Sequence, residues 1–435
     1  MSRALLVGFV SVVFLMVLPS SALAQDPPDP DEEDIFGDGD DTPQPPDFET
    51  KLAEQNDKLQ IGGTLWMRSQ ASFSDSDEVE DHRLSFPNLV ELYLDGRPSD
   101  RIRGFIKARL AWNPSIGPDP APSLATAFGF EPTELEVVLD QLWLKFDIAR
   151  ALYVTIGQQA VRWGTTRIWN PIDVINTQFR EPLTLFDSRT GVPMIKLHIP
   201  VESLGWNFYV LGMLKEVDTF DDAGIAARAE FVFSTVELGL VGAYRKGVDP
   251  RVGLDISAGV LDLDIKGEVG LRLDESDDMS THVQASAGLE YGVKYSDQDT
   301  LYVGAEYFYN QDGGTTQEAF GATPLDLLQK LASGEPLPQW LYVGKHYAAL
   351  YLSLPQPGDL DQSYVTLSSI ANLTDTSFLG RLDWSETILT FMTLQMYVVG
   401  HWGDFGELRI GDKLLPGLGL QTQLIEVGLN LRIDL

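Results

Sequence analysis

The sequence predicts an all-β chain: a transmembrane antiparallel up-and-down β-barrel of about eighteen strands, with sixteen as the alternative, and an inward-folded constriction loop. Three observations predict it. The last eleven residues alternate without a break, Ile425, Val427, Leu429, Leu431, Ile433 and Leu435 on one face against Glu426, Gly428, Asn430, Arg432 and Asp434 on the other. A terminal strand with one wholly apolar face suits a bilayer, where closing the sheet removes its edges. Near the other end, Arg3 precedes an apolar run from Ala4 to Leu18, then Pro19 and the small-residue site Ala22-Leu23-Ala24. This is the pattern of a secretory signal peptide over residues 1–24, and the run is shorter than the roughly 20 residues of a helical span. No later apolar run approaches that length, so insertion falls to strands.

The elements follow in order. Residues 25–57 carry thirteen acids against one base, Lys51, interspersed with Pro27, Pro28, Pro30, Pro43, Pro45 and Pro46. Such a segment buries too little apolar surface to fold alone, so it reads as a disordered periplasmic extension. The remainder, 58–435, keeps 51 acids against 29 bases, a net charge of −22. That excludes nucleic acid as a partner, because phosphates demand clustered positive charge. There is no Cys, which excludes a lipid-modified N-terminal Cys and a disulfide framework.

From Lys58 the chain resolves into short alternating runs separated by Gly-, Asp- and Pro-rich loops. In 281–295, for example, Val283, Ala285, Ala287, Leu289, Tyr291, Val293 and Tyr295 oppose His282, Gln284, Ser286, Glu290 and Lys294. A β-sandwich also alternates. The leader, the terminal strand and the aromatics at run ends, Trp112, Trp206, Tyr244, Tyr295 and Tyr309, favour a barrel with interfacial girdles. Eighteen runs are expected near 58–73, 84–96, 101–112, 136–147, 152–162, 191–199, 204–214, 223–233, 235–245, 251–259, 260–272, 281–295, 299–310, 341–353, 363–373, 376–385, 387–401 and 419–435. The pair within 251–272 is the hardest to separate from one long strand. Connection lengths check the count: the long gaps at 74–83, 113–134, 163–190, 311–340 and 402–418 all follow odd runs and the tight links follow even ones, with only 354–362, holding Pro355 and Pro357, long for the periplasmic side. Short periplasmic turns and long external loops are the rule for such barrels.

A barrel this wide encloses an aqueous channel unless something narrows it. The loop 163–190 is the candidate, because Trp163, Trp169, Ile168, Ile172, Val174 and Ile175 are too apolar for a solvated loop and Asn170-Pro171 signals a turn. Folded inward, it would bring Arg162, Arg167, Asn170, Asp173, Asn176, Arg180 and Arg189 into the lumen. The stretch Gly157–Asn176, with its Gly-x-Gln start, Trp163-Gly164 pair and Asn-Pro-x-Asp-x-x-Asn ending, resembles a loop motif of Gram-negative outer-membrane channels akin to the alginate-export porins. Ser369–Leu382, with Asn372-Leu373-x-Asp375-x-Ser377, is similar to a hairpin of the same group. The resemblance covers roughly forty residues and implies a channel in the cell outer membrane. So acidic a body does not match the basic pore that a polyuronate needs, so the solute stays open.

Charge along the lumen face adds a mechanism. Bases come early, at Arg101, Arg103, Lys107 and Arg109, and acids later, at Glu230, Glu237, Asp262, Asp264, Glu268, Glu290 and Glu306. One reading is a transverse field across the constriction that orients dipolar solutes. The other is a set of salt-bridge networks that stiffen wall and loop. Neither catalysis nor a cofactor is expected: His82, His198, His282, His346 and His401 show no metal-ligand spacing. The acid-rich loops Asp218–Asp222 and Asp274–Asp278 read as solvated, or as cation-bridged contacts to lipopolysaccharide. Other expected partners are outer-membrane lipids, a small solute, and the barrel-assembly machinery through 425–435; strand pattern leaves oligomeric state open. Two functions therefore remain: a porin-like channel for small hydrophilic or amphipathic solutes, or a plugged barrel used for adhesion, assembly or scaffolding.

Overall fold

A computed structural model describes residues 58–76, 78, 82–117, 133–176, 183–184, 189–277, 279–296, 299–320, 342–411 and 422–435. The expected signal peptide and acidic segment, Arg180, and the apolar stretch Leu325–Leu331 lie outside them. The described chain is a single antiparallel sheet closed on itself. Its strands are β1 (Leu59–Ser74), β2 (Arg83–Ser85), β3 (Asn88–Ser99), β4 (Ile102–Trp112), β5 (Leu135–Ile148), β6 (Leu152–Gln159), β7 (Val192–Val201), β8 (Trp206–Met213), β9 (Gly224–Phe233) and β10 (Val236–Arg245). They continue as β11 (Val248–Val260), β12 (Leu263–Asp274), β13 (Ser280–Lys294), β14 (Thr300–Asn310), β15 (His346–Pro355), β16 (Ser363–Asn372), β17 (Ser377–Leu389), β18 (Met392–Gly403) and β19 (Gln423–Asp434). One short helix, α1 (Thr316–Phe320), follows β14.

Eighteen strands make the wall, each paired with its neighbour in sequence, and the ring closes where β1 meets β19 with Thr64 opposite Asp434 and Phe73 opposite Ile425. The run expected at 84–96 is the one that divides. Pro87 has no N–H to give a ladder, so three residues pair with the end of β1 as β2 and the wall strand β3 restarts at Asn88. The run 251–272 is two strands, with Val260 opposite Leu263 across the turn Leu261-Asp262. Asp262 therefore sits in a turn rather than on the lumen face. The strand ends that border the long connections 113–134, 160–191, 214–223, 311–345 and 404–422 lie at one end of the barrel, whereas 100–101, 149–151, 234–235, 261–262 and 390–391 close the other. Consecutive left-handed residues such as Ala149 (φ 54°) and Arg150 (φ 57°) make those tight links, because that backbone twist matches the twist of the strands it joins.

Register assigns the faces. On β12, Ile265 and Val269 are exposed outward, as are Leu289 and Tyr291 on β13. The alternate residues Lys266, Glu268 and Arg272 point into the barrel beside Gly288, Ser286 and His282. An outer surface this apolar is stable only against lipid, since water would solvate neither the leucines nor the tyrosine belt. Trp112, Tyr244 and Tyr295 lie at strand ends, each about half exposed, as a girdle requires. Core packing sits inside the ring rather than between sheets. Two apolar clusters form there, one around Trp163, Ile172, Ile175, Met194, Leu211 and Val241, the other around Trp169, Phe308, Tyr347, Ile370, Leu379 and Leu408.

Candidate functional site

The chain leaves the wall at Gln159, and residues 160–176 return through the interior. Sequence decides how. Asn170 accepts from Arg162 Nε and Nη2 at 3.0 and 2.6 Å and donates to Thr166 O at 2.8 Å. The Asn170 carbonyl accepts the Asp173 N–H at 3.0 Å, closing the turn that Pro171 starts. Asn176 Nδ2 donates to Val161 O at 2.8 Å and to the Asp173 carboxylate, so both ends of the Asn-Pro-x-Asp-x-x-Asn segment are tied back to the loop's first residues. Trp163, Ile172 and Ile175 pack on β7–β10, while Trp169 reaches β14–β18. Trp169 stacks on Phe308 with ring centroids 5.6 Å apart and is 2% exposed. Gly270 of β12 lets the loop approach: a Cβ there would lie 2.6 Å from Pro171 O.

Two wall carboxylates hold the crossing. Glu268 Oε1 on β12 accepts the N–H groups of Thr165 and Thr166 at 2.6 and 2.8 Å, the Thr166 hydroxyl at 2.8 Å and Asn170 Nδ2 at 3.0 Å. Glu306 on β14 accepts the next three N–H groups, Arg167 at 2.9 Å, Ile168 at 3.1 Å and Trp169 at 2.8 Å. Five consecutive donors of an irregular backbone are thus satisfied by side chains of the wall, which is what a loop without secondary structure needs when water is excluded. Gly164 makes the bend, at φ +129° with Glu268 Oε1 only 2.8 Å from where a Cβ would stand.

The predicted charges distribute as follows. Arg103 pairs with Asp95 at 2.8 Å, Lys107 with Glu91 at 2.7 Å, and Arg109 with Asp140 at 3.2 Å, all on β3–β5. Arg101 is not on the lumen face; it occupies the turn before β4 and pairs with Asp147 at 3.0 Å. Glu230 is engaged by Arg228 at 2.7 Å on its own strand. The early bases therefore have acids of the same wall beside them, in the ion-pair arrangement that was one of the two readings. Arg189 lies 3.5 Å from Asp173 within the loop. Burial pushes the Asp173 carboxyl above its usual range, against the Asn176 amide and the Arg189 charge, which hold it down. Arg167 is different: its guanidinium lies 4.3 Å over the Tyr351 ring and 3.7 Å from Glu290, half exposed to the interior.

Sequence reasoning missed a second inward segment. Residues 404–411, after β18, turn inside the ring, where Leu408 joins the cluster around Trp169. Glu407 accepts the Tyr342 N–H, the Tyr347 hydroxyl and Asn372 Nδ2, and its own N–H donates to Asp375 Oδ2 at 2.9 Å. Ser377 Oγ accepts the Leu408 N–H at 3.2 Å. The Asn372-x-x-Asp375-x-Ser377 signature thus holds this segment, a role that no local pattern around Glu407 discloses. Among the described residues no group of three potential metal ligands occurs.

No protein-family model matches this chain, and no curated protein matches it in sequence. Its fold is similar to that of OccK9 (OpdG) from Pseudomonas aeruginosa, with TM-score 0.56 and 11% identity over 87% of this chain and 98% of that one. A BenF-like porin from Pseudomonas fluorescens Pf-5 matches with TM-score 0.54 and 11% identity over 87% and 98% of the two chains. Wzi of Escherichia coli, an outer-membrane protein involved in group 1 capsule assembly and described as a carbohydrate-binding β-barrel, matches with TM-score 0.52 and 11% identity over 88% and 86%. At such identities the shared property is the fold, the closed antiparallel barrel of outer-membrane porins.

Proposed function

We propose that this protein is an outer-membrane channel for small hydrophilic or amphipathic solutes, with its lumen narrowed by the loop 163–190. The observation that carries the reading is the row of N–H groups from Thr165 to Trp169 bound to Glu268 and Glu306. A loop fixed to the wall through its own backbone keeps a constant aperture, as a size and charge filter requires. Arg167 beside Glu290 places opposite charges at that level, whereas Arg103, Lys107, Arg109 and Glu230 are taken up in ion pairs of the wall. The porin-like neighbours and the resemblance of Gly157–Asn176 to alginate-export porins support a channel; the carbohydrate-binding neighbour adds polyhydroxylated solutes to its candidates. Recognition of 425–435 by the assembly machinery, and lipopolysaccharide contacts at the acidic loops, belong to the same reading.

The second reading is a plugged barrel with an adhesion, assembly or scaffolding role. It draws on the segment 404–411, which adds to the filling around Trp169, and on the capsule-assembly neighbour. Purified protein in planar bilayers separates the two. Discrete conductance steps are expected of the channel, and their absence at every voltage and salt concentration supports the plug.

A further inference from the structure

Glu407 and Asp375 are a pair of carboxylates at the mouth that the channel reading does not use. Both accept from one amide nitrogen, Asn372 Nδ2, at 3.1 and 3.2 Å. Neither has an ion-pair partner among the described residues, and Glu407 is 4% exposed. Around them stand Tyr347 from β15, Thr316 of α1, which donates to Asp375 Oδ2 at 2.8 Å, and His401 from β18, whose Nδ1 lies 2.6 Å from Leu408 O. The segment's own charged residues, Asp404 and Arg409, turn to Thr376 and to Gly403 O. Among the described residues no cation compensates the buried Glu407 carboxylate, which faces the half-buried Asp375, and a buried acid beside a like charge holds its proton more tightly.

We propose that Glu407 is a proton-operated latch: protonated beside Asp375 it holds residues 404–411 down on Trp169, and ionised it releases that segment and the tip of the crossing loop. The sign follows from linkage. Burial first, and the Asp375 charge with it, push Glu407 up to about 7 in the docked state, although the Tyr347 hydroxyl and the Tyr342 N–H pull the other way. The released side chain returns to the ordinary glutamate range. Docking is therefore strongest below that range and weakens as pH rises through it to about 7, by up to about a hundredfold in the docked-to-released ratio.

The test has two arms. The absence of native Cys makes thiol labelling clean. Leu408→Cys is labelled with a maleimide from pH 4.5 to 8, each rate divided by that of Phe220→Cys, a position 99% exposed on an external connection. The ratio is expected to rise about tenfold or more with pH. It is expected to stay flat when Glu407→Gln is added, since the amide keeps an acceptor for the Tyr342 N–H and carries no charge to titrate. His401→Gln is expected to leave the rise intact. A flat wild-type ratio, a rise that survives Glu407→Gln, or a rise lost in His401→Gln overturns the latch. The second arm rests on the channel reading: step conductance in bilayers should grow over the same pH window and do so no longer in Glu407→Gln. Conductance that varies identically in both proteins overturns the latch as a gate, whereas pH-dependent labelling without any conductance keeps the latch and removes the channel.

Discussion

At the scale of single residues, Glu268 and Glu306 carry more of the site than any of the arginines. Replacing Glu306 by Ala strands three backbone donors at once, that of Trp169 buried and those of Arg167 and Ile168 partly so. Orphaned donors cost about 1–3 kcal/mol each before water enters, so the loop is expected to leave the wall. A red shift in Trp emission, as Trp169 quits its stack with Phe308, and a larger conductance step are the measurements. Gly164→Val has the same expected outcome for a different reason: its Cβ meets Asn170 and Glu268, and φ +129° excludes a branched side chain. The two basic loop residues part company. Arg162 braces Asn170 and the Thr166 and Arg167 carbonyls, whereas Arg167 lies over Tyr351 and faces Glu290, half exposed to the interior. Arg167→Ala is therefore expected to shift the reversal potential toward cations in a salt gradient, while Arg162→Ala loosens the loop and broadens the conductance distribution. An unchanged reversal potential in Arg167→Ala sinks the field across the constriction.

At the scale of elements, strands and connections were legible because both signals are local. A strand's two faces see lipid and lumen, so alternation is written into each run, and sidedness is written into the lengths between runs. What failed at this scale failed for identifiable reasons. Pro87 breaks a run that alternates correctly, and Asp262 keeps alternating parity while sitting in a turn. The crossing loop was visible through its apolar residues, but its anchors were not, since a glutamate on a lumen face looks the same whether it meets water or a row of N–H groups. The segment 404–411 left no trace at all: Glu407 and Leu408 become buried only through Asn372, Asp375 and Tyr347, far away in sequence. Replacing 163–176 by a short Gly-Ser linker tests the crossing element as a unit. Folding of the barrel is expected to persist, with a several-fold larger conductance step, because the wall's ladders run without the loop.

For the whole molecule, closure and lipid exposure set the stability. Val269 points outward on β12, and a charge there meets hydrocarbon. Val269→Lys is expected to cost about 2–4 kcal/mol near the bilayer midplane, measured by denaturant unfolding in lipid vesicles, whereas Lys266→Gln on the inward face is expected to be nearly neutral. The seam between β1 and β19 joins the two ends of the ring, with Leu435 N donating to Gly63 O at 2.8 Å. The sequence by itself determined the class, the eighteen wall strands and which face of each meets lipid, because period-two alternation and loop length need no knowledge of distant residues. Only the tertiary structure decided what fills the lumen. Glu268, Glu306 and Glu407 act on backbone and side chains brought to them by closure of the ring, and contacts across a barrel leave no periodic mark on the chain.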